Sequence, residues 1–195
     1  ARKPAGLFIS ARYPLPQFPH FTHAKDKAKE NIGKAAGNQL QAEIADFITR
    51  NSGGSVRLQK NDIMEAFGEK AYLLVRLEGE LVGVAGWQVE NLVARAGDIY
   101  LQPNLPIRDV LSALTEEIER ESRELQCEAS MLFVPLPLAQ QSAQVLAGNG
   151  YAPQTADKLG VAAWKDAAMS AASLPAPRDS GSFSIAMRNA FLSPE

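Results

Sequence analysis

The stretch "YLQPNLPIRDVLSAL", residues 100–114, passes from a strand-like segment into a helix-like one. A strand-to-helix turn is where unpaired backbone N–H groups and the helix dipole can hold a phosphate. The glycines that usually allow a phosphate to approach are missing. Pro103, Pro106 and Asp109 stand in their place. Pro106 has no N–H to donate, Asp109 adds a negative charge, and Arg108 is the single favourable charge. The same residues make a good helix start with no ligand at all, because proline suits a first turn and an aspartate there stabilises the dipole. The remaining reactive types point to little chemistry. The only histidines, His20 and His23 in "HFTH", follow Pro19 in a proline-rich stretch with no cysteine or acidic cluster nearby, so no metal is expected. Their position also leaves no plausible Ser-His-Asp arrangement. Cys127 is the one cysteine and has no histidine near it, which suits a small buried or helix-end residue better than a nucleophile. "AGNGY" follows a helical pattern and stops it, and Trp87 and Trp164 suit core packing on strands.

The elements around these residues follow from periodicity. Residues 1–23 hold several prolines and aromatics and predict an extended arm over a surface, burying Phe8, Phe18 and Phe21. From Ala24 to Arg50 apolar residues recur at helical spacing, with Gly33 and Gly37 able to divide the segment into two helices. A short helix follows, capped by Asn61 or Asp62. Residues 71–77, 80–89 and about 93–101 then read as three antiparallel strands with turns at Glu78-Gly79 and near Asn91. Gly83 and Gly86 suggest a bulge or close backbone approach. A long helix spans about 107–126, with "EEIERESRE" as its solvent face. "EASMLFVP" reads as a buried strand, "PLAQQSAQVLAGNGY" as a helix and "GVAAWKDA" as a last strand. The Ser-, Ala- and Pro-rich run after Ala168 reads as a linker to the apolar segment "FSIAMRNAFL", residues 183–192.

Composition narrows the function classes. Of 195 residues, 46% are apolar and 22% charged, as in an ordinary globular domain, and the formal net charge of −2 argues against bulk nucleic-acid binding. No apolar run is long enough for a membrane span, and a single cysteine suits a reducing cytosol, so a cytoplasmic location is expected. The first residue is not methionine, which leaves open a processed chain or a piece of a longer one.

The order helix, helix, three antiparallel strands, helix, strand, helix, strand over residues 24–168 resembles the GNAT family of N-acetyltransferases. "EGELVGVAGWQV", "AGDIYLQP" and "AQVLAGNGY" resemble its central strands, its fourth strand and its later helix closed by Gly150-Tyr151. The resemblance implies an α+β fold: a mixed, mainly antiparallel twisted sheet flanked by helices. Residues 1–23 would extend it as an arm, and residues 169–195 as a linker and docking segment. It also implies that the fourth and fifth strands splay apart to admit an acyl-CoA whose pyrophosphate rests on a glycine-rich loop. That loop's pattern falls on Leu101, Pro103, Pro106, Ile107, Asp109 and Leu111. Leu101 and Pro103 fit it, but the arginine and the three small positions do not, and side chains at Ile107 and Leu111 obstruct close approach. The family's proton-donating tyrosine falls on Leu146, which cannot perform that role. Glu90 and Asp98 are the candidate bases for an amine.

These readings lead to an acetyltransferase-fold protein without ordinary acetyl-CoA-dependent activity, serving as an interaction or regulatory module. Its protein partner or second copy would be engaged through the terminal segments. Two alternatives stay open. One is an active N-acyltransferase in which Leu101 and Arg108 hold acetyl-CoA and Glu90 or Asp98 takes the amine proton. The other is a small-ligand binding domain using the wedge between strands.

Overall fold

The structure, a computed structural model, describes residues 7–12, 26–67, 69–172 and 183–189. In chain order the elements are β1 (Leu7–Arg12), α1 (Asp26–Asn51), α2 (Lys60–Ala66), β2 (Ala71–Leu77), β3 (Glu80–Glu90), β4 (Val93–Leu101), α3 (Ile107–Glu124), β5 (Ala129–Pro135), α4 (Leu136–Gly148), β6 (Ala152–Gln154), α5 (Ala162–Ala172) and β7 (Phe183–Asn189). The strands form one seven-stranded sheet in the order β1-β2-β3-β4-β5-β7-β6. Every neighbouring pair is antiparallel except β4 with β5. The fold is α+β, with a mixed, mainly antiparallel sheet between helices.

Local chemistry explains the centre of the sheet. β2 passes to β3 through Glu78 and Gly79, at φ of 53° and 90°, and β3 passes to β4 through Asn91 and Leu92, at 50° and 61°. Two-residue turns with both central residues at positive φ match the twist of the strands they join. Alternation then divides the side chains between two faces. On one face Leu73, Val75, Ala85, Trp87, Ala96 and Leu132 pack beneath α3 and α4. On the other, Tyr72, Leu74 and Val84 pack beneath α1 and α2. Farther across that second face, Val93, Met131, Phe133 and Met187 pack against α5.

Four expectations change. α1 runs unbroken through Gly33 and Gly37, because a glycine inside a helix costs only about 1 kcal/mol and its neighbours are good helix formers. α2 begins two residues earlier than a cap at Asn61 allows and three earlier than a cap at Asp62 allows. Gln59 precedes it, and the Asp62 carboxylate accepts the Gln59 N–H at 2.6 Å. "GVAAWKDA" is helical: α5 buries Ala167 and Ala168 against the sheet, and its small residues let the backbone lie close. The fourth change concerns the segment expected to dock on a partner. Residues 183–189 are β7, inserted between β5 and β6. Ala186 and Met187 are buried there on opposite faces, and Arg188 donates to Glu119 of α3 and, at 2.9 Å, to the Asn149 carbonyl. At the other end, residues 7–12 of the expected arm are β1, paired with β2. Phe18 and Phe21 lie outside the described residues. Among the described residues no helix is long and apolar enough to cross a membrane.

Candidate functional site

β4 and β5 separate partway along their length. They pair from Val93 with Ala129 to Ala96 with Leu132. Beyond that point β4 keeps only β3, and β5 keeps only β7, through Phe133 and Val134. The parting coincides with a β-bulge. Val84 lies opposite Tyr100 and Gly86 opposite Gly97, so Asp98 and Ile99 together face Ala85. Asp98 takes a φ of 48° to make this possible. Such a bulge turns a side chain away from strict alternation. Here it swings the Asp98 carboxylate over Gly86, on the face that carries α1, α2 and α5.

A polar group gathers around Asp98. Lys70, at the junction of α2 and β2, donates from Nζ to Asp98 Oδ2 at 2.5 Å. The same Nζ lies 5.7 Å from the centre of the Tyr72 ring, which meets Phe67 edge-on. Burial, and then the Asp98 charge, push the Tyr100 hydroxyl up to about 12. The same two causes raise Tyr72 further. Both hydroxyls therefore stay protonated at neutral pH. A Cβ at Gly86 would come within 3.2 Å of Asp98 Oδ2 and 3.4 Å of Lys70 Cδ, so the pair lies directly on the glycine floor. The pair is partly open to water, with side-chain exposures of 24% for Lys70 and 40% for Asp98. Its net contribution to stability is therefore small, about 0.2–1 kcal/mol.

Glu90 is placed elsewhere. It ends β3 at the far hairpin, opposite Val93, five residues along the strand from Ala85 and on the other side of the β4–β5 pairing from the bulge. Its carboxylate accepts from Arg95 at 2.8 Å. Arg95 is buried and also donates to the Ala167 carbonyl of α5 at 3.2 Å. These contacts tie α5 to the sheet. Arg95→Ala should leave the Ala167 carbonyl without its donor and lower stability by about 1–3 kcal/mol. The reading is a lower urea midpoint with an unchanged slope.

The corner between β4 and α3 was the candidate cofactor site. Leu101 packs against the core, as do Leu105 and Ile107. Pro106 caps α3, and its carbonyl accepts the N–H groups of Asp109 at 2.9 Å and Val110 at 3.1 Å. Arg108 is exposed and Asp109 half-buried in the first turn. An anion at the start of α3 would meet the amides of Ile107 and Arg108 beside the Asp109 carboxylate, with Leu105 and Ile107 packed inward against the core. With no glycine and with Pro106 lacking an N–H, these residues offer the pyrophosphate of coenzyme A fewer donors and less room than a glycine-rich loop does. On α4, Leu146 is buried in the core, and Tyr151 is buried with its hydroxyl 3.0 Å from Ser130 Oγ. Cys127 is buried just after α3, and burial raises its thiol pKa.

Sequence reasoning missed Lys70 and both tyrosines. Alternation along β2 and β4 could have placed Tyr72 and Tyr100 on one face, but the ion pair joins residues 28 apart in sequence and leaves no local signal. His20 and His23 lie outside the described residues. Among the described residues no group of three or more His, Cys, Asp or Glu side chains could hold a metal ion.

Comparison with solved structures identifies the fold as that of acetyltransferases. An acetyltransferase from Streptococcus agalactiae matches with a TM-score of 0.55 at 14% identity, covering 95% of this chain and 99% of that one. Ard1 from Thermoplasma volcanium matches at 0.53 and 14% identity, covering 78% and 93%. N-acetylglutamate synthase from Neisseria gonorrhoeae, complexed with coenzyme A and N-acetyl-glutamate, matches at 0.52 and 13% identity. That match covers 95% of this chain, which spans only 36% of the synthase. No protein-family model and no curated protein matches the sequence.

Proposed function

We propose, from the premise of an acetyltransferase fold, that this chain does not carry out ordinary acetyl-CoA-dependent transfer and acts as an interaction or regulatory module. The supporting observation is the corner at Pro106–Asp109. Pro106 has no N–H to give, its carbonyl takes the Asp109 N–H, the Asp109 carboxylate repels an anion, and Leu105 and Ile107 pack against the core where a glycine-rich loop would leave space. Like charges in a partly desolvated site cost on the order of a few kcal/mol, which the exposed Arg108 offsets only in part.

Acyl transfer through an atypical corner is the competing reading. It draws on the parting of β4 from β5 beside the Asp98 bulge. Calorimetric titration of the full chain with acetyl-CoA separates the two. No saturable micromolar binding is expected. Saturable micromolar binding that weakens in Arg108→Ala would overturn the proposal and favour transfer.

A further inference from the structure

We propose that the outer face of α4 is the contact surface for a second copy of this chain, met about a two-fold axis. The inference rests on the reading of the chain as an interaction module and names its partner. From Ala129 to Ala156 the sequence has no Lys, Arg, Asp or Glu, although these residues make up 22% of the whole. For β5 this is ordinary, because the strand is buried. For α4 it is not. Ser142 and Leu146 face the core, and the opposite face presents Leu136, Pro137, Gln140, Ala143, Gln144 and Ala147, all exposed. The other helices bare charged side chains to water: Asp46 and Arg50 on α1, Glu65 on α2, Glu124 on α3 and Lys165 on α5. Loss of charge marks the centre of a protein–protein contact better than overall hydrophobicity does.

The chemistry of the face selects the partner. A nucleic acid or an anionic membrane is held through basic residues, and the face has none. A strongly charged protein would find nothing of opposite sign. A two-fold contact sets each residue near its own copy, so any charge there would repel itself, and this face carries no charge to do so. Its hydrogen-bonding groups suit the same symmetry. Gln140 and Gln144 stand one helical turn apart, and each amide both donates and accepts, so it can pair with an identical amide. Ala143 and Ala147 beside them let a second helix come close, and Leu136, 39% exposed, adds apolar area. The formal charge of −2 puts little long-range repulsion between copies. The neighbouring sheet edge does not compete for this role. β6 has three residues, and Pro153 at its centre has no N–H to give a further strand.

Sedimentation equilibrium of the full-length chain over a range of concentrations tests this. The mass is expected to rise with concentration from the monomer value of 21.1 kDa towards twice that. Gln140→Glu with Gln144→Glu should weaken the dimer at least about tenfold, since like charges then face each other across the axis. Gln140→Lys with Gln144→Lys should do the same, and an equimolar mixture of the two variants should restore association. Circular dichroism checks the fold of each, and Ala143→Glu stands in if the glutamate pair does not fold. A monomer at every concentration, a dimer that both variants leave intact, or a mixture no more associated than its parts would each overturn the proposal. Titration with acetyl-CoA keeps the two readings apart. A monomer that binds no acetyl-CoA overturns the α4 contact alone, and a dimer that binds it overturns only the absence of ordinary acetyl transfer.

Discussion

Met187→Asp is expected to abolish cooperative folding. Met187 is 3% exposed in the middle of β7, among Val93, Met131 and Phe133 and beneath Ala167 and Ala168. All of these neighbours are apolar, so a carboxylate placed there loses its water and gains no partner. An unpaired buried charge costs several kcal/mol, and the lost methionine packing adds about 2–5 kcal/mol. The sum approaches the whole stability of an ordinary domain, about 5–15 kcal/mol. Circular dichroism during heating should show no cooperative transition. A melting midpoint close to that of wild type would mean that residues 183–189 are an appendage and not a strand of the sheet.

Trp87→Ala should be the costliest truncation in the core. Trp87 is 2% exposed on β3, between Ala71 of β2 and Ala96 of β4. Small residues on both sides cannot close over the void, so the cost should lie near about 3–5 kcal/mol. For a chain of this length that lowers the melting temperature by about 6–20 °C. Ala96 is also the last β4 residue paired with β5, so the indole supports the sheet at the level where the two strands part. A fall of only a degree or two would show that the core beneath α3 can collapse to fill the space.

The parts of this fold written in local patterns were legible in the sequence. β2, β3 and β4 are rich in β-branched and aromatic residues and separated by turn residues, and α3 carries a regular apolar stripe, so their boundaries fell within a few residues of those observed. α5 was misread because Val161 and Trp164 suit a strand. The contrary signal was present: Trp164, Ala167 and Ala168 stand three and four residues apart, the spacing of a helix face. β7 carried its own alternation in Ile185 and Met187, with Ala186 between them facing the other way. The proline-rich run before it suggested a tail, and no local rule reports that a strand returns to fill a gap between two earlier ones. The candidate site was half legible. Asp98 was named for its chemistry and its strand. Its orientation depends on a bulge, which is a relation between two strands, and its partner arrives from the start of a third. The corner at Pro106 was the most readable feature, because proline and aspartate act through their own backbone and charge.

The position of β7 also bears on how the chain folds as it is made. Among the described residues β6 has no neighbour in the sheet except β7, and 28 residues separate the end of one from the start of the other. At a synthesis rate of about 5–20 residues per second, β6 and α5 emerge seconds before the strand that will hold them. Until then the outer edge of β5 is an open row of amide and carbonyl groups beside apolar side chains, the kind of edge that invites pairing with another chain. The edge of β5 is thus open to pairing with another chain until β7 takes its place between β5 and β6.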